Sequence, residues 1–406
     1  MSSITEPLPV DPFRATAEGV RHQVYRALAE RGPIQRITGP AGRNAWFVTG
    51  YAEARALLSD ARVVKTGAGR GAFHRQLPPE IARSIHTHLL SVNPPDHTRL
   101  RRLVSGAFTR RQVERLEPHV RRITDELLAP LGADDVVDLV PAFAYPLPVR
   151  VICALLGIPP SAEDELQGRT RSLMAPALSG YDAYLADARA LVAFVGEQVE
   201  EKRRHPGDDL LSALIAARDG SDRLSEDELI GMVYLLFVAG HETTVNLVGN
   251  GVLALLTHPD QLALLRAEPD RADAAVEELL RFDGPVQTTM TAEAAERIEI
   301  GGVTIGAGEL VYVILMAANR DPGRFPEPER LDIGRETAGH LAFGHGIHHC
   351  LGAPLARLEG RIALGTLVAR YPRIALARPA AELVRTESVL VNGLESLPVR
   401  LGRPRG

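Results

Sequence analysis

Apolar residues recur three and four apart along most of the chain, the period of an amphipathic helix. VYRALAERG (24–32), YAEARALLSD (51–60), HTRLRRLVSGAF (97–108), VERLEPHVRRITDELLAPL (113–131) and YLADARALVAFVGEQVEEKRR (184–204) all follow it. Strand-like stretches are shorter. NAWFVTG (44–50) is one, and RIEIGGVTIGAGELVYVIL (297–315) holds others, interrupted by glycines. ESVLVNGLESLPVRL near the C-terminus reads as a hairpin. The pattern predicts a mainly α protein with a minor β portion. No repeat or low-complexity linker interrupts it, so 1–406 is expected to be a single domain.

One helix stands apart, over about 225–257. Ser225 and Glu228 form a capping box at its start and Pro259 marks its end. At 1.5 Å per residue it is about 50 Å long. Its middle, GMVYLLFVAG, is apolar on every face, which marks a buried helix. His241, Glu242, Thr243 and Thr244 follow directly. A carboxylate and two hydroxyls inside a buried helix are costly without partners. Gly240 weakens the helix and a threonine bonds the carbonyl one turn back, so a local distortion is expected here.

Composition narrows the function classes. The chain has 406 residues, 45% hydrophobic and 24% charged, and a net charge of -5. An acidic balance argues against nucleic acid as a partner. No apolar run reaches the length of a membrane span. MSSITEPLPVDPF lacks the pattern of a secretory signal, and a cytoplasmic protein is expected. The basic residues are nearly all arginine; Lys65 and Lys202 are the only lysines. Two cysteines make no disulfide framework. Cys153 sits in the apolar run VRVICALLGI and reads as a core residue.

Cys350 sits in FGHGIHHCLG (343–352), just before the helical pattern APLARLEGRIALGTLVARY. A helix start offers free N–H groups and a positive dipole end, which favour thiolate. Gly344, Gly346 and Gly352 leave room for a flat group to approach the backbone. A zinc site is the rival reading, since His345, His348, His349 and Cys350 crowd together. Its second ligand pair is missing, and HETTV has valine where HExxH needs its second histidine.

The segment resembles the haem-binding loop of the cytochrome P450 family, with Phe343, Gly346, Cys350 and Gly352 at the matching positions. The resemblance covers nearly the whole chain and is nearest to soluble bacterial members acting on macrolides and polyketides. It implies the family's fold, with haem b between the long central helix and the Cys350 loop. Cys350 would be the axial iron ligand, Phe343 would pack near the sulfur, and His348 would meet a propionate; Gly344, Gly352 and Ala239 would also border the haem.

Three further motifs match in order. AGHETT (239–244) is similar to the oxygen-activating stretch, with Glu242 and Thr243 as an acid–alcohol pair; a helix kink with a capped glutamate is the plainer alternative. Glu278 and Arg281 fit the ExxR motif, and Arg330 in FPEPERLD would complete that structural triad. PPDHTRLRR (94–102) places His97 and Arg101 on one helix face, where they would contact propionates; an exposed basic helix is the alternative. One departure stands out. The family commonly has a propionate-binding arginine about ten residues beyond ExxR, and 282–296 contains none, which leaves Thr291 or backbone for the task.

The resemblance further implies insertion of one atom of O2, by hydroxylation or epoxidation, into a bulky apolar molecule such as a macrolide, polyketide, terpenoid or steroid. The pocket would be lined by 67–90, 170–185, Met232, Leu236, Ala239, Val286 to Met290 (hence Thr288 and Thr289) and Leu390 to Gly393 (hence Val391). No flavin or nucleotide module is fused, so NAD(P)H-derived electrons would come through a reductase and ferredoxin. The ferredoxin would dock on an arginine-rich face with Arg357 and Arg361, and the enzyme would act as a monomer. A peroxide-dependent enzyme is disfavoured by the intact Glu242–Thr243 pair. A non-catalytic binding protein on the same fold is disfavoured by that pair with Cys350.

Overall fold

A computed structural model describes residues 20–38, 44–66, 72–105, 110–132, 136–159, 173, 180–219 and 223–405. Helices dominate it. The central helix runs Glu226–Thr257 with both halves of the capping box formed: Glu228 N–H donates to Ser225 Oγ at 3.2 Å, and Ser225 N–H to Glu228 Oε2 at 2.7 Å. Three acidic residues in its first turn complement the helix dipole. Pro259 opens the next helix, Pro259–Ala267, as well as closing this one.

The central helix belongs to two cores. Leu229 to Phe237 pack with helices Tyr181–Arg204, Leu210–Asp219 and Pro79–His86. Val245 to Leu255 pack with helices Arg110–Leu128, Ala272–Asp283 and Ala353–Arg370. Residues 238–244 lie at the seam. The expected distortion there does not break the helix. Thr243 Oγ donates to the Ala239 carbonyl at 3.0 Å, one turn back, while the helix continues.

The β portion comes from separated places, as expected. One sheet has the order β1(Ile34–Thr38)–β2(Asn44–Val48)–β8(Leu310–Val313)–β5(Ala292–Ala294)–β3(Val63–Val64). β2 and β8 run parallel, with Val48 opposite Val313. Their side chains alternate between faces. Ala45, Phe47, Leu310 and Tyr312 pack on helix Arg21–Glu30, while Trp46, Val48, Val311 and Val313 pack toward helix Tyr51–Ser59. β4(Val136–Asp138), β10(Pro398–Arg400) and β9(Ala375–Leu376) form a second sheet, and β6(Ile298–Ile300) with β7(Val303–Ile305) a hairpin.

The C-terminal segment does turn back on itself, with an antiparallel bridge between Arg385 and Leu394. Its last strand, however, pairs with β4 and β9. Among the described residues no helix is long and apolar enough to cross a membrane.

Candidate active site at the seam of two cores

The seam leaves one face of the central helix open. Leu235, Val238, Ala239, Glu242 and Thr243 are partly accessible, spaced three and four apart, while their neighbours toward both ends are buried. Leu235 and Val238 border the same core cluster as Leu351, which adjoins Cys350. The helix thus presents a partly accessible stripe on the side where Leu351 packs, next to the exposed Cys350.

The cysteine loop is set by backbone bonds. Cys350 N–H donates to the Phe343 carbonyl at 2.9 Å and His349 N–H to Gly346 O at 3.1 Å. Gly344 and Gly346 both have φ +71°, a left-handed conformation that side chains rarely adopt. A Cβ at Gly346 would also meet the Leu58 carbonyl oxygen at 2.3 Å. Gly352 caps helix Ala353–Arg370, and the amides of Gly352 and Ala353 bond the sulfur. Those amides, with Arg101 and Arg357, favour thiolate; the protein packed around one side of the sulfur opposes them and raises the thiol above its usual value, although the residue keeps exposed surface on the other. The helix start thus pulls toward thiolate as its local setting implies, and a coordinated metal ion would deprotonate such a thiol outright.

The neighbouring histidines do not converge on the sulfur. His345 lies 3.3 Å from Arg55 Nε, His349 faces the Phe343 ring, and His348 meets His97 edge-on with ring centroids 4.6 Å apart. Buried His97 Nε2 and His348 Nδ1 have no hydrogen-bond partner among the described residues. Burial lowers the pKa of both, His348 to about 4. Arg101 donates to the carbonyls of Ile347 at 3.0 Å and His349 at 2.8 Å. Phe343 lies under Arg357, whose guanidinium is 4.5 Å from the ring centroid and pairs with Glu277 at 2.6 Å.

Arg281 forms the expected fork with Glu278, Nε to Oε2 at 2.6 Å and Nη2 to Oε1 at 2.8 Å, both side chains fully buried. The third member is not Arg330, whose exposed side chain pairs with Glu327; only its carbonyl joins the network. Arg335 Nε reaches Glu278 Oε1 at 3.3 Å instead. Both arginines lie in the loop after FPEPE, and spacing alone did not distinguish them.

The expected pocket residues divide. Ala239, Thr289 and Met290 keep accessible surface. Met232 has none, Leu236 and Val391 are nearly buried, and the Thr288 hydroxyl is spent on the Val389 carbonyl at 3.0 Å. Met232, Val391 and Thr288 are therefore buried in the packing around the site, while Leu235 and Val238 keep accessible surface. Their i, i+4 relation to Ala239 and Glu242 was the available signal. Segments 67–71, 170–172 and 174–179, expected to line the pocket, lie outside the described residues.

A profile of the family described as Cytochrome P450 matches residues 171–375. The chain is 45% identical to 6-deoxyerythronolide B hydroxylase of Saccharopolyspora erythraea, over 94% of this chain and 96% of that protein. It is 45% identical to the vitamin D(3) 25-hydroxylase of Pseudonocardia autotrophica, over 97% and 96%.

The chain belongs to the cytochrome P450 family. The solved structure of the P450 monooxygenase TamI bound to tirandamycin C superposes with a TM-score of 0.89 at 42% identity, covering 98% of this chain and all of that one. As in the family, the cofactor is haem b held through a cysteine thiolate, and the enzyme is a haem-thiolate monooxygenase. The residues present fit that group. The exposed sulfur, two buried histidine nitrogens without partners, the left-handed glycines and the open helix stripe suit a flat macrocycle with anionic arms.

Proposed function

We propose that this P450 hydroxylates or epoxidises a bulky apolar molecule of the macrolide, polyketide, terpenoid or steroid class in secondary metabolism. Cys350 is the iron ligand, and His97, Arg101 and His348 face the propionates. The observation that carries the reading is the open stripe of the central helix, with Glu242 and Thr243 on it beside apolar Leu235, Val238 and Ala239. The names of relatives support the substrate class: mycinamicin IV hydroxylase/epoxidase is 41% identical over 92% of this chain, and 6-deoxyerythronolide B hydroxylase 45%.

Bound haem supplies the binding and cleavage of O2, with one oxygen atom passing to the substrate and the other leaving as water. The protein supplies position and protons. Thr243 Oγ, presently bonded to the Ala239 carbonyl, turns toward the site and donates a hydrogen bond there. Glu242 passes protons inward; its Oε2 lies 3.8 Å from His241 Nε2, and burial lowers the His241 pKa, which keeps that ring neutral. Apolar side chains of the stripe exclude water around the substrate. Electrons come from NAD(P)H through a reductase and ferredoxin, in the cytoplasm where that carrier is maintained. The central helix shares its length between both large cores, which supports a chain folding as one domain.

Thr243→Ala tests the proton-delivery role. Haem remains bound, while the fraction of reducing equivalents ending in peroxide rises several-fold and product per NADH falls; Thr243→Ser restores coupling. Unchanged coupling in Thr243→Ala rejects the role.

A further inference from the structure

Lys65 stands where a lysine has no ordinary reason to be. It directly follows β3, the short edge strand, and Asn93 clamps its backbone from both sides: Lys65 N–H donates to Asn93 Oδ1 at 2.8 Å, and Asn93 Nδ2 donates to Lys65 O at 2.8 Å. Four residues beyond Asn93 is His97. The ammonium donates to the Met290 carbonyl at 3.0 Å, in the segment leading into β5. Its charge acts on His348, whose pKa it helps to lower after burial. The side chain thus projects into the corner where helix Asp96–Ser105, the cysteine loop and the 288–291 segment meet.

No described carboxylate pairs with it: Glu293, across the β3–β5 pair, accepts from Thr66 Oγ1 at 3.0 Å instead. Among the described residues Lys65, His97, Arg101 and His348 make no ion pair with a carboxylate, although most arginines of the neighbouring surface do: Arg115 with Asp208, Arg121 with Glu117, Arg357 with Glu277, and Arg361 with Glu117 and Asp273. Burial pulls the Lys65 ammonium down to about 8, still mostly protonated at neutral pH, and no neighbouring acid raises it. A half-buried cation near buried nitrogens without partners gains a charge-assisted bond once an anion arrives. Segment 282–296 contains no arginine to meet that anion from the Met290 side.

We propose that Lys65 is a cofactor-binding residue, its ammonium pairing with a haem propionate carboxylate in the region that His97 and His348 also border. The inference rests on the placement of haem beside Cys350 given above. Lys65 exchanges its bond to a neutral carbonyl for a charge-assisted one, and so anchors the edge of the haem to β3.

The test compares holoenzymes of the wild type, Lys65→Met, Lys65→Gln and Lys65→Arg, each first checked for the thiolate-type carbon monoxide spectrum. Two quantities are read: the rate of haem transfer to excess apomyoglobin, and the propionate bending band in the resonance Raman spectrum. Lys65→Met and Lys65→Gln shift the band and lose haem about tenfold faster, the scale of one partly desolvated charge pair. Lys65→Arg keeps both near wild type. An unshifted band in Lys65→Met and Lys65→Gln overturns the proposal, as does Lys65→Arg losing haem as fast as Lys65→Met, which assigns the side chain to packing. If the wild type itself lacks the thiolate-type spectrum, the placement of haem at Cys350 fails instead.

Discussion

Glu359 shows how a single residue records its surroundings. It lies in helix Ala353–Arg370, fully buried, with Oε2 lacking a partner among the described residues. Burial pushes its carboxyl from 4.5 up to about 8, so the folded protein holds it neutral at pH 7. The unfolded chain ionises it from about 4.5 upward. Stability from this site is therefore whole below 4.5 and is lost as pH rises toward 8. Glu359→Gln is expected to raise the unfolding free energy by an amount on the order of 4 kcal/mol at pH 8 and about 1 kcal/mol at pH 5.5. An equal gain at both pH values would show that Glu359 is not held neutral. Nothing in LARLEGRIAL marked it in advance: a glutamate at that spacing reads equally as a solvated helix position. Cys350 was legible because its setting of glycines and a helix start is local. Its raised pKa was not, because how far the folded protein encloses the sulfur is not a local property.

Among the elements, the central helix was legible almost to its ends, since the capping box and proline are local signals and its all-round apolar middle requires burial. What the pattern could not give is the division of that helix between two cores, which depends on which helices come to lie against each half. The network around Glu278 teaches the same lesson. The i, i+3 fork with Arg281 is sequence-local, while the arginine from the loop is chosen by how that loop folds back. Asp332 N–H and Arg335 Nε both donate to Glu278 Oε1, at 3.0 and 3.3 Å, and Arg335 also bonds the carbonyls of Glu327 and Arg330. Arg335→Ala is expected to cost about 2–3 kcal/mol, because it removes charge-assisted bonds around a buried carboxylate. Arg330→Ala should stay within about 0.5 kcal/mol of wild type, as an exposed substitution. Denaturant unfolding of the two holoenzymes decides; the reverse order would restore Arg330 to the triad.

Across the whole molecule, the sheet and the helices meet around one seam. β3 and β5 deliver Lys65 and the 288–291 segment, helix Asp96–Ser105 delivers His97 and Arg101, the glycine turns deliver Cys350, and the central helix delivers Glu242 and Thr243. The C-terminal segment is stapled to the same region by fully buried Gln287, whose Nε2 donates to the carbonyls of Ser388 and Val391 at 2.7 Å each. Buried Asp283 ties that segment to the first helix through Arg385 and Arg21, which outweigh burial and hold its carboxyl well below the usual range. These long-range ties have no signature in a linear pattern. They explain why motif order revealed the site while the supporting shell emerged only from the fold.

The central claim is that Cys350 holds the haem iron through its sulfur. The most direct test is the absorption spectrum of the dithionite-reduced, carbon monoxide-bound protein, recorded for wild type and Cys350→Ala. Wild type should show the strongly red-shifted Soret band of thiolate ligation, and Cys350→Ala should lose it. An imidazole-type band in wild type, or a red-shifted band surviving in Cys350→Ala, would contradict the assignment.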